Sequence, residues 1–116
     1  MKYIPILRRL NEAGWEPVTC ARAGPEGILI ERFGAWGARG LYFTVRNSGD
    51  APQRARLAVD LTGLGLSQRD LGRLAMAEIV SRQPLELAGQ IARGVAVLEL
   101  PLEAFQTAVV HLAPAK

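Results

Sequence analysis

The sequence predicts a mainly β domain: an antiparallel, immunoglobulin-like β-sandwich with a short N-terminal helix and one short internal helix. Apolar and polar residues alternate with a period of two over 41–46 and 54–61, the mark of strands buried on one face. Breakers such as Gly24-Pro25, Gly34 and the run Asn47-Ser48-Gly49-Asp50-Ala51-Pro52 punctuate the chain at short intervals, as in a sandwich or barrel. At 116 residues the chain fits one domain whose core can hold the fold without metals or disulfides.

Residues 1–14 read as a leading helix and connector, and 15–116 as the sandwich. Pro5 suits a first helical turn, Ile6, Leu10 and Ala13 fall on one stripe, and Gly14 is a natural stop. Arg8, Arg9 and Glu12 lie off that stripe, so 5–13 forms an amphipathic helix. A strand follows from 16 to 23, ended by Gly24-Pro25, and another from 28 to 33, between Gly27 and Gly34. Leu41, Phe43 and Val45 then alternate with Tyr42, Thr44 and Arg46; after the turn run, Ala55, Leu57, Val59 and Leu61 alternate with Arg54, Arg56, Ala58 and Asp60. These two runs and their turn predict an antiparallel hairpin. Ser67, with Asp70 three residues on, predicts a capped helix over about 67–76, because Leu71, Leu74, Ala75 and Glu78 keep helical spacing. Ile79-Val80 predicts a strand over about 77–82. Ala96, Leu98 and Leu100 share one face of a strand that Pro101 ends, and Ala108, Val110 and Leu112 share one face of the last strand. Those two strands read as a closing hairpin.

Formal net charge is +3, and nearly all the cations are arginines scattered from Arg8 to Arg93. Dispersed cations read as a solvated surface, since nucleic-acid binders gather them on one face. The single cysteine, Cys20, forms no internal disulfide and reads as a small buried hydrophobe. Together with the single histidine, His111, it makes no metal site. No apolar stretch is long enough to span a membrane, and the start, Met1 to Pro5, lacks the features of a signal peptide. The expectation is a cytoplasmic chain with no cofactor, binding neither nucleic acid nor membrane.

No catalytic residue is expected. Ser48, Ser67, Ser81 and Cys20 are the possible nucleophiles and His111 the one imidazole, but no Gly-x-Ser-x-Gly elbow occurs. His111 falls on the polar face of the last strand. Asp60, Glu99 and Glu31 also fall on polar faces, not in an acid pair. Gly63-Leu64-Gly65-Leu66-Ser67 lacks the third glycine of a phosphate-binding turn and reads as a sharp connection. The loop from Gly34 to Gly40 offers ligand-binding candidates in Trp36 and Arg39, joined by Tyr42 on the polar face of the next strand. An exposed Trp36 would stack on a sugar ring; the alternative is that it folds back over one end of the core. Trp15 is expected as a core plug or a contact of the leading helix.

The strand sequences also resemble the C-terminal β-sandwich domain appended to (β/α)8-barrel glycoside hydrolases. Ala13 to Arg22 resembles the entry to such a domain; Ile30 to Gly34 and Leu41 to Asn47 resemble its next strands. Glu78 to Ser81 and Val95 to Leu112 resemble its closing section. In that family the catalytic acids sit on the barrel, so no catalytic residue carries over, and 116 residues hold no barrel of roughly 250. The resemblance implies a non-catalytic accessory domain that stabilises or positions a glycosidase barrel. Ile6, Leu7 and Leu10 would then form the interface with the barrel, or with a second copy of the chain. A carbohydrate-binding module using Trp36 and a protein–protein interaction or assembly domain are the other two readings.

Overall fold

A computed structural model of the chain describes residues 3–37, 40–80, 82, 85–87 and 91–114. The elements in chain order are α1 (Tyr3–Ala13), β1 (Trp15–Glu16), β2 (Ala21–Gly24), β3 (Ile28–Ala35), β4 (Gly40–Asn47) and β5 (Gln53–Asp60). They continue as α2 (Gln68–Leu71), β6 (Leu74–Glu78), β7 (Glu86–Leu87), β8 (Val95–Leu102) and β9 (Thr107–Pro114). Among the described residues the strands form two antiparallel sheets, β1-β3-β4-β9-β6 and β2-β5-β8-β7. Alternate residues of both sheets meet in one core. Phe43, Val45, Ala108 and Val110 come from the first sheet, and Ala55, Leu57, Val59, Leu98 and Leu100 from the second. Leu64 and Leu66, from the glycine-bounded connection after β5, join them. The fold is therefore a mainly β sandwich with a leading helix and a short internal one.

The strands fall where alternation places them, but their partners differ. β4 and β5 are not a hairpin: β4 pairs with β3 and β9, and β5 pairs with β2 and β8. Likewise β8 and β9 lie in different sheets. An arch between sheets buries the same alternate residues as a hairpin would, so the period alone does not separate the two. The β4–β5 arch is built on Asn47, which lies in the buried phase of β4 and is fully enclosed. Its Nδ2 donates to the carbonyls of Ala51 (2.8 Å) and Glu103 (3.1 Å). Its Oδ1 accepts from the Gly49 amide (3.0 Å) and from Gln53 Nε2 (3.2 Å). One side chain thus ties the β4–β5 arch to the β8–β9 arch.

Three boundaries also move. The strand expected over 16–23 breaks at Pro17 into β1 and β2, which join different sheets; Cys20, at φ +57°, makes the bend. The internal helix is one turn, Gln68–Leu71, with Ser67 and Asp70 forming a reciprocal capping box and Gly72 closing it. β6 consequently starts at Leu74, where Leu74 and Met76 turn toward the core on the period of a strand. β8 runs through Pro101 to Leu102. Among the described residues β7 pairs with β8 at Glu99 and Leu98.

α1 lies across part of the outer face of the first sheet. Ile6 and Leu10 are buried against Tyr42, Val80 and Val109, with Phe33, Ile79 and Ala13 at the rim. Gly14, at φ +87°, ends the helix by donating to the Leu10 carbonyl at 2.9 Å.

Candidate functional site

The outer face of the first sheet is a grid set by strand register. One row reads Phe33, Tyr42, His111; the next, Glu31, Thr44, Val109; the third, Leu29, Arg46, Thr107. α1 lies on the first row and on Val109. Tyr42 is consequently 3% exposed rather than open to a ligand. Its ring stacks on His111, centroids 4.7 Å apart, and Arg9 sits over it while Arg9 Nε donates to its hydroxyl at 3.0 Å. Burial, and then the nearby Arg9 charge, hold the His111 imidazole below its usual pKa. The sequence reading missed this outer cluster, because a polar face covered by a helix keeps the alternation of an exposed one.

Trp36 is half-buried and packs against the sandwich core, as one of its two expected positions required. The Ser67 amide and hydroxyl, with a smaller effect of the neighbouring Trp36 side chain, hold Asp70 below the ordinary carboxylate pKa. Part of the Trp36 ring faces a shallow cleft of about 380 Å³, shared with His111 and Pro114. Arg39 lies outside the described residues, as does Ser81. Gly34 holds φ +86°, and a Cβ there would collide with the Gly40 carbonyl oxygen, so this loop needs its glycine for the close return of β3 into β4.

Trp15 is not a core plug. It sits on the edge strand β1, opposite Phe33, and is 57% exposed. Of the interface candidates, Ile6 and Leu10 are spent on the chain's own sheet while Leu7 stays in solvent.

Two charged groups occupy inward positions. Glu78 is 3% exposed, and its Oε2 accepts from the amides of Val80 (2.9 Å) and Val109 (3.1 Å). It borders a cleft of about 690 Å³ whose walls include Ile6, Arg9 and Arg82. Arg32 follows Ile28 and Ile30 on the inner face of β3, pairs with Glu16 at 3.2 Å and reaches Cys20 Sγ at 3.8 Å. Among the described residues no three of His, Cys, Asp and Glu are grouped to hold a metal ion. No helix among them is long and apolar enough to cross a membrane.

No family model matches the chain, and searches of the curated proteins and of the solved structures find no match.

Proposed function

We propose that this chain is a non-catalytic accessory or assembly domain that works by holding another polypeptide against its surface. One observation carries the reading: α1 covers only half of the outer sheet face. The open half carries Leu29, with Phe105 just beyond Thr107; each is 55% exposed although the core is already filled. Leu29 on this face, and Phe105 whose carbonyl Arg46 reaches from it, are large apolar groups whose exposure favours a protein partner over solvent. The resemblance of the strands to the sandwich of glycoside hydrolases supports a catalytic barrel as one such partner. The carbohydrate-binding reading has less support, because Tyr42 is covered and Trp36 is half-buried against the core.

Titrating soluble glycans while following tryptophan fluorescence, beside an assay on a panel of aryl glycosides, tests this reading. It expects no saturable response at millimolar glycan and no turnover. A saturable shift abolished by Trp36→Ala, or turnover lost on changing one carboxylate, would overturn it.

A further inference from the structure

We propose that the open half of this sheet face is a self-association surface, on which two copies of the chain pair about a twofold axis. The inference rests on the protein-contact reading above and names the partner. Leu29 and Arg46 are register partners on β3 and β4, and Glu31 lies two residues along β3, opposite Thr44. Arg46 Nη1 donates only to neutral oxygens, the Phe105 carbonyl at 3.2 Å and Thr107 Oγ1 at 3.3 Å. Among the described residues Glu31 forms no ion pair. The patch therefore offers one cation and one anion, both exposed and neither matched by an opposite charge, beside two apolar groups. A twofold axis sets Arg46 of one protomer opposite Glu31 of its partner and the reverse, while Leu29 and Phe105 close over the partner's apolar surface. A partner of one sign would match half of this pattern; a second copy matches all of it.

Phe105 adds an independent argument. Its φ of +59° lies in the left-handed region, where a glycine or asparagine would sit without the clash a phenylalanine meets. The loop nevertheless fixes it there. The Phe105 amide donates to the Gly49 carbonyl at 3.1 Å, and Glu103 and Gln106 close a turn on each other through bonds of 2.8 and 3.1 Å. Asn47 holds the Glu103 carbonyl from beneath. A strained backbone that leaves an aromatic ring in water is disfavoured for the isolated chain; a ring seated on a second copy offsets it.

Phe105→Gly suits the backbone and removes only the ring. Sedimentation equilibrium from micromolar to millimolar chain should show the mass rising from one chain toward two. Phe105→Gly should weaken association about tenfold or more, with a thermal midpoint no lower than the parent's. Glu31→Arg and Arg46→Glu should each weaken it as well, and the double reversal should restore it. A one-chain mass throughout overturns the dimer, as does a dimer indifferent to Phe105→Gly and to both reversals. Neither result touches the protein-contact reading, which fails instead on a saturable glycan response.

Discussion

Asn47 is enclosed on every side and spends its amide on four hydrogen bonds that join two arches. Asn47→Ala would leave the Ala51 carbonyl and the Gly49 amide without these partners and take one of two donors from the Glu103 carbonyl, and each orphaned group costs about 1–3 kcal/mol. A loss of about 3 kcal/mol or more is expected, read as a lower denaturant midpoint with an unchanged slope. A change below about 0.5 kcal/mol would mean that water replaces the amide. A sign of this role was present in the sequence: 41, 43, 45 and 47 share one phase, and a polar residue in an apolar phase asks for buried partners. A reading that assigns Asn47 only to the turn misses it, because Asn suits turns for local reasons as well. His111 makes a second prediction at this scale. Its pKa is lower in the folded chain than the ordinary 6.5, so folding disfavours its protonated form. Stability should be full above pH 6.5 and fall as pH drops below it, levelling out once the folded-state value is passed. His111→Phe, which keeps a ring beside Tyr42, should flatten the curve in the window immediately below pH 6.5. An unaltered slope in that window would exclude His111 as its source.

Among the elements, α1 is held through Ile6 and Leu10, both buried on the sheet, and full burial of each contributes about 1.5–3 kcal/mol. Leu10→Ala should cost about 2–4 kcal/mol and expose the Tyr42 ring, whereas Leu7→Ala should change stability by less than about 0.5 kcal/mol. Thermal midpoints of the two variants, together with amide exchange across α1, check the contrast; equal losses would sink it. The stripe Ile6, Leu10, Ala13 was legible in the sequence because helix period and burial agree. Strand partners were not. β4 with β5, and β8 with β9, each look like a hairpin: two alternating runs joined by a short polar connection. Residues 36–39 join a true hairpin, β3 to β4, while 48–52 and 103–106 arch from one sheet to the other. Similar connector lengths serve both geometries, so the choice is made by packing between sheets. The outer cluster of Tyr42, His111 and Arg9 was hidden for a related reason: it exists only once a distant helix lies on the face.

At the scale of the whole molecule, the path of the chain decides how it unfolds. Only β3–β4 and β7–β8 are both consecutive and paired among the described strands; every other step in strand order changes sheet. Neither sheet is a continuous stretch of chain, and the core joins side chains from both. Loss of either sheet strips the apolar cover from the other, so the two should melt as one unit. Phe43→Ala, in the first sheet, removes a fully buried ring, and Leu98→Ala, in the second, removes a buried leucine. Each should cost about 3 kcal/mol or more. Far-UV circular dichroism follows both sheets, while tryptophan fluorescence follows Trp36 against the core and Trp15 on the edge of the first sheet. In both variants the two signals should shift together and keep a common midpoint. If the second sheet formed a unit of its own, Leu98→Ala would move the dichroism transition and leave the fluorescence transition where it was, because Trp15 and Trp36 both belong to the first sheet and its hairpin loop.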